Sequence, residues 1–186
     1  MDLDEVLLEA EDAMEKAVEF MTHEFASIRT GKASPALVEN LDVEAYGSVM
    51  KLKQVALITT PEARLIVIQP FDASTTRDIE RAINESRLGI APAVDGKIIR
   101  IPIPELSEER RRDLVKTIKQ ISEESKVRVR ACRREAMDSA KKMQKDGDIT
   151  EDDLRGAEED IQKLTDTYVA KVEQHVSSKE AEIMKV

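Results

Sequence analysis

The sequence predicts an α+β protein: a long three-helix bundle with a small α/β domain inserted between its first and second helices. Three observations predict it. Apolar residues recur at steps of three and four at both ends of the chain. Between about residues 31 and 105 the pattern changes to short alternating runs. All six prolines fall in that middle stretch, from Pro35 to Pro104, leaving the flanks free for uninterrupted helix.

The first element is read from Leu3, Leu7, Ala10, Met14, Ala17, Met21, Phe25 and Ile28. This spacing lays one apolar seam along an amphipathic helix. The helix should stop near "RTGKASP", where Gly31 terminates well and Pro35 bars continuation.

Within the insertion, "NLDVEAYG" alternates Leu41, Val43 and Ala45 against Asp42, Glu44 and Tyr46, then turns at Gly47. "ARLIVIQPF" is a β-branched run closed by Pro70. "STTRDIERAINESRLG" reads as a helix with Ser74 as N-cap and Gly89 just past its end. "AVDGKIIRIPIP" supplies an Asp95-Gly96 turn and a strand alternating Ile99, Ile101 and Ile103.

Long helices then resume. Ser107 caps the next, with Glu108 and Glu109 in its first turn, where the helix dipole favours anions. It runs to about Lys145. "DGDIT" turns the chain, Thr150 and Asp153 form a capping box, and a last helix carries Leu154, Ala157, Ile161, Leu164, Tyr168 and Val172 on one side. Each exposes an apolar stripe when alone, so the economical solution packs them against the first helix. The expected domains are residues 1–30 plus 105–186 for the bundle and 31–104 for the insertion. Two tethers join them, near Thr30-Gly31 and near Pro104-Glu105, and these four residues form the expected hinge.

Composition narrows the function. Apolar residues are 41% and charged residues 36%, while aromatics are 3% and Trp is absent. No apolar run reaches the roughly 20 residues of a membrane span. The N-terminus "MDLDEVLLEAEDAMEK" is acidic where a targeting peptide is basic. A lone Cys132 fits a reducing compartment, so the expected location is cytoplasmic, with no membrane partner. His23 and His175 belong to no ligand-spaced cluster. No nucleophile has a plausible base. The expectation is a monomer that is not an enzyme and needs no metal or cofactor.

Charge is segregated. The chain has a formal charge of −9, yet residues 107–145 carry 13 basic and 7 acidic side chains. On a helical wheel at about 100° per residue, Arg112, Lys116, Lys119, Lys126, Arg130, Arg133, Arg134 and Lys141 fall in one narrow stripe. Leu114, Ile118, Ile121, Val129, Cys132, Ala136 and Met143 lie opposite, and Met137 is an apolar residue on the ridge. From Lys119 to Lys141 the ridge spans about 33 Å. The acids of this helix lie mostly off the stripe, Glu123 excepted, so internal lacing by Glu–Lys pairs is weak. A cationic ridge on an acidic protein is an address for a polyanion. With no aromatic platform, helix-turn-helix or zinc ligand set, phosphate recognition on structured RNA fits best. A coiled-coil adaptor gripping a protein partner is the competing reading, and it would need a second exposed apolar seam.

Three tempting motifs fail. "GKAS" lacks the Ser or Thr directly after Lys32 and the earlier Gly of a phosphate loop. In "KDGDITEDD", aligning Gly147 to the sharp-turn slot of a calcium loop puts Lys142 and Gln144 at the first ligand positions. Asp152 and Asp153 sit in a helical first turn, where the dipole explains them.

Over nearly its whole length the chain resembles the bacterial ribosome recycling factor family. The resemblance rests on "IRTGKASPALVENLDVEAYG", "QPFDAS", "AINESRLGIAPAVDGKIIRIPIPELSEERRRDLVK", "VRVRACRREAMDSAKK" and "EDIQKLTDTYVAKVEQHVSSKEAEIM", in order. It implies an L-shaped molecule with a bundle domain and a smaller α/β domain joined by a hinge. It also implies binding to the post-termination ribosome through large-subunit ribosomal RNA. With elongation factor G and its GTP hydrolysis, the subunits are split and messenger RNA is released. The family's arginine cluster maps onto Arg130, Arg133 and Arg134, and its hinge onto Thr30-Gly31 and Pro104-Glu105. Ala131, Cys132 and Met137 depart from the pattern, and Glu105 replaces a frequent Pro, which should loosen one tether slightly.

Overall fold

A computed structural model describes residues 2–86 and 88–185. The chain divides into two compact units, one of residues 1–25 and 112–186, the other of residues 26–111. Arg87, at the end of the sequence-read helix of the insertion, lies outside the described residues.

The first unit is built from α1 (Leu3–Ala26), most of α4 (Glu108–Lys145) and α5 (Glu151–Met184). Their apolar stripes face one another as the periodicity requires. Val6 and Ala10 of α1, Ala136 of α4 and Ile161 of α5 share one buried cluster. Met14, Met21, Ile118 and Ile161 are fully enclosed. Ser125 Oγ donates to the carbonyl of Ala17 at 3.3 Å, tying α4 to α1. Truncating Ile161 to alanine leaves a cavity and is expected to cost about 3–4 kcal/mol of stability, read as a lowered denaturation midpoint at unchanged slope.

A polar cluster joins α1 to α5. Lys171 Nζ donates to Glu15 Oε2 at 3.1 Å and lies 4.3 Å from the centre of the Tyr168 ring. The Tyr168 hydroxyl and then Lys171 lower the pKa of Glu15, while burial, followed by Glu15, pushes Tyr168 up to about 12. A carboxylate held below its ordinary 4.5 stabilises the fold above that value and stops doing so as pH falls through its lowered pKa. Tyr168→Phe should therefore flatten the acid-side decline in melting temperature between about pH 5 and 3.

Both joints of the long helices follow sequence chemistry. Ser107 Oγ accepts from Arg110 N–H at 3.2 Å. Between α4 and α5, Gly147 adopts φ +81 and the Asp148 N–H returns to the Met143 carbonyl at 2.9 Å. Thr150 and Asp153 then exchange the reciprocal bonds of a capping box.

The second unit holds a hairpin of β1 (Asp42–Ala45) and β2 (Ser48–Lys51), a one-turn α2 (Leu52–Val55), and a four-stranded antiparallel sheet. The sheet comprises β3 (Ala56–Glu62), β4 (Leu65–Pro70), β5 (Ala93–Asp95) and β6 (Ile98–Pro102) in the order β3-β4-β6-β5. Helix α3 (Thr76–Glu85) buries Ile79 and Ile83 in the same core as Val43, Ile66, Ile68, Ile99 and Ile101. Its entry differs from the sequence reading. The N-cap position of α3 is Thr75, not Ser74, and makes no side-chain cap bond; Asp72 instead caps the preceding 3-10 turn over Ala73–Thr75, its carboxylate accepting the Ser74 N–H at 2.9 Å. The same carboxylate takes the Tyr46 hydroxyl at 2.8 Å. An acceptor serving both the turn and a distant tyrosine is not visible in local periodicity.

The connections flanking this core are packed within the same unit. Gly31 adopts φ +82, and a Cβ there would stand 3.6 Å from Leu106 Cγ. Space is sufficient, but the left-handed backbone is unfavourable for any side chain, so Gly31→Ala should cost about 1 kcal/mol. Glu105 pairs with Arg64 at 2.7 Å, and Ile103 N–H donates to the Arg64 carbonyl at 2.8 Å.

Candidate nucleic-acid interface

The predicted ridge lies along one continuous helix, α4, so its geometry follows from that helix alone. Arg112, Lys116, Lys119, Arg130, Arg134 and Lys141 are exposed, while Lys126 and Arg133 are half-buried. Opposite them Leu114, Ile118, Val129 and Ala136 are buried. Ile121, Cys132 and Met143 are only partly so. Burial raises the pKa of the Cys132 thiol and Glu135 adds to the effect, which keeps the sulfur protonated and unreactive.

The ridge is not uniformly free. Lys126 Nζ sits 3.5 Å from both Glu123 and Glu173, and its side chain keeps only 16% of its exposure. Lys119 Nζ lies 3.9 Å from Glu180. The lacing that α4 lacks internally is thus supplied by α5, whose acids are too distant in sequence for a wheel of α4 to reveal. Among the described residues no ion pair engages Lys116, Arg130, Arg133, Arg134 or Lys141. These five are the cations open to an external anion.

The two cross-helix pairs define a register. A step of seven up α4, from Lys119 to Lys126, is matched by a step of seven down α5, from Glu180 to Glu173. The next step brings Arg133 level with Asp166. That third pair is not made. Asp166 instead accepts the Gln162 amide at 2.9 Å, and the buried Nε of Arg133 has no hydrogen-bond partner. Beyond this open rung α4 and α5 enclose a groove of about 530 Å³, with Arg133, Arg134 and Lys141 on one wall and Arg155 and Glu158 on the other. Met137 lines it too, half-buried against the core shared by the three helices.

A second basic cluster, in the other unit, escaped the wheel. Burial and then the neighbouring Arg110 charge lower the pKa of Arg29. The Nε atoms of Arg29 and Arg111 are buried without a hydrogen-bond partner. A wheel anchored on Arg130 turns Arg110 and Arg111 away from the ridge. The available signal was the pairing of "IRTG" with "EERRR" in sequence, not periodicity. Thr30, Gly31, Pro104 and Glu105 belong to this same unit.

Large exposed apolar side chains on the long helices are scattered, as Leu8, Phe20, Val127 and Met184. Phe20 is partly covered by the Arg128 guanidinium at 4.4 Å. They form no second seam for a coiled-coil partner. Among the described residues no helix is long and apolar enough to cross a membrane.

Comparison with known proteins gives the family and the fold. A family model described as ribosome recycling factor matches residues 21–184. The chain is 58% identical to the ribosome-recycling factor of Akkermansia muciniphila over the full length of both. It is 55% identical to that of Halalkalibacterium halodurans over 98% of each. Among solved structures, a solution structure of the ribosome recycling factor superposes with a TM-score of 0.81 at 44% identity, covering 100% of this chain and 99% of that one. A Thermus thermophilus ribosome recycling factor, bound with elongation factor G of Escherichia coli to the post-termination complex, gives a TM-score of 0.70 at 43% identity over both full chains.

Proposed function

The chain belongs to the ribosome recycling factor family, and from that premise we propose that its α4 ridge docks on large-subunit ribosomal RNA of the post-termination ribosome. Bound there, it acts with elongation factor G, whose GTP hydrolysis drives separation of the subunits and release of messenger RNA. It is a translation factor, not an enzyme, and it works in the cytoplasm as a monomer. The observation that carries this reading is the row of uncompensated cations Lys116, Arg130, Arg133, Arg134 and Lys141 on one face of one helix. Lys119 and Lys126 contribute after exchanging their α5 carboxylates for phosphates, and Arg112 extends the row. Arg29, Arg110 and Arg111 offer a second anion contact from the other unit.

Phosphate contacts release counterions, so affinity falls with salt by a slope of about 0.7–0.9 per contact. Five free cations set an expected slope of roughly −4 for log affinity against log salt. Sedimentation with isolated large ribosomal subunits measures it. A slope near zero would exclude the ridge as the contact.

A further inference from the structure

We propose that the groove between α4 and α5 receives one unpaired RNA nucleotide, with a preference for bases that present an amino group, adenine, guanine or cytosine, over uracil. The inference rests on the reading of α4 as an RNA-binding ridge and adds what that ridge selects. A row of cations reads backbone phosphates and no sequence. The groove has different chemistry at the end of the same row. Its volume of about 530 Å³ exceeds what phosphate contact needs and falls in the range of small-molecule sites.

Three groups divide the work. Arg133 and Arg155, one on each wall, hold the phosphate. Arg133 is available because, among the described residues, no ion pair engages it and its buried Nε has no hydrogen-bond partner. Met137 gives the base a polarizable apolar contact, which any base accepts. Glu158 and Glu159 face the same space and are acceptors only. Carboxylates take hydrogen bonds from the exocyclic amine of adenine or cytosine, or from the N1–H and amine of guanine. Uracil has no amine, and bringing its carbonyls against two carboxylates is repulsive. Helical RNA cannot enter, since its bases are paired and stacked, so the occupant is extruded or single-stranded.

Glu158→Gln with Glu159→Gln removes the charged acceptors for the base together with their repulsion of phosphate, so large-subunit affinity is measured for this variant alongside its footprint. Base-specific chemical modification of large subunits bound to the full chain then separates the two roles. The wild-type chain is expected to protect the Watson–Crick edge of a discrete unpaired adenine, guanine or cytosine roughly tenfold. At a concentration that saturates the large subunits, the double variant should lose that protection while backbone protection along the ridge persists. Met137→Lys, which fills the groove with a flexible charge, should also abolish it. An identical base pattern for wild type and double variant, or protection of a uracil, overturns the nucleotide site and leaves the ridge standing. Failure of the wild-type chain to bind large subunits overturns the ridge and, with it, the groove.

Discussion

Replacing Arg130, Arg133 and Arg134 together with glutamate is expected to weaken binding to large ribosomal subunits by roughly a thousandfold near 0.1 M salt. The magnitude follows from counterion release. At about 0.1 M salt, a slope of about 0.9 per contact corresponds to nearly tenfold per phosphate, and the three arginines have no internal acid to share. The salt slope should flatten by about three in the same experiment. Arg130 and Arg134 are exposed, so reversing them costs the bundle little. Arg133 is half-buried and level with Asp166, so a glutamate there adds some repulsion. Arg133→Gln supplies the control, losing the contact without the clash. A reversed triple that keeps its helical circular dichroism yet binds as tightly as wild type would remove α4 from the interface.

The contrast with Lys126 sharpens that expectation. Lys126 lies on the same stripe of the sequence but is shared between Glu123 and Glu173. Lys126→Glu should therefore alter affinity far less than Arg130→Glu, although a wheel ranks the two alike. Exposed or partly exposed pairs of this kind contribute little to stability, so their consequence is for which charges remain available.

Much of this molecule was legible because its elements obey one period each. The three long helices were readable from steps of three and four, β4 from a continuous β-branched run, and β6 from alternating isoleucines. Strand β2 and most of β3 gave no such signal, because nearly all their side chains are exposed and burial imposes no alternation. The cap of α3 falls at Thr75, one residue beyond the expected Ser74, because a 3-10 turn capped by Asp72 precedes the helix. At the interface, the stripe followed from α4 alone, but its effective charge depends on Glu173 and Glu180, which lie 47 or more positions away in sequence. The open rung at Arg133 is a property of two helices in register. It has no counterpart in either taken alone.

Lengthening both connections that flank the core of the second unit is the second large expected effect. A flexible Gly/Ser segment of about six residues after Gly31, with another between Pro104 and Glu105, should leave large-subunit binding within about threefold. The ridge residues from Arg112 to Lys141 all belong to one unit, so their spacing does not depend on either connection. Subunit splitting with elongation factor G and GTP should fall below about a tenth of the wild-type rate. If motion driven by elongation factor G reaches the bundle through the second unit, it does so only through stiff joints, and Gly/Ser segments behave as random coil that takes up motion without passing it on. Both insertions are needed, because a single intact connection still restrains the second unit. The insertion points suit the test: Pro104 and Glu105 are exposed and Gly31 is outside any helix. Light scattering of post-termination complexes reads splitting, and sedimentation reads binding on the same preparations. Full-rate splitting by the doubly lengthened chain would mean that the second unit acts by occupancy alone. Loss of both binding and splitting would mean that it helps to grip the ribosome, with the Arg29, Arg110 and Arg111 cluster as the place to look.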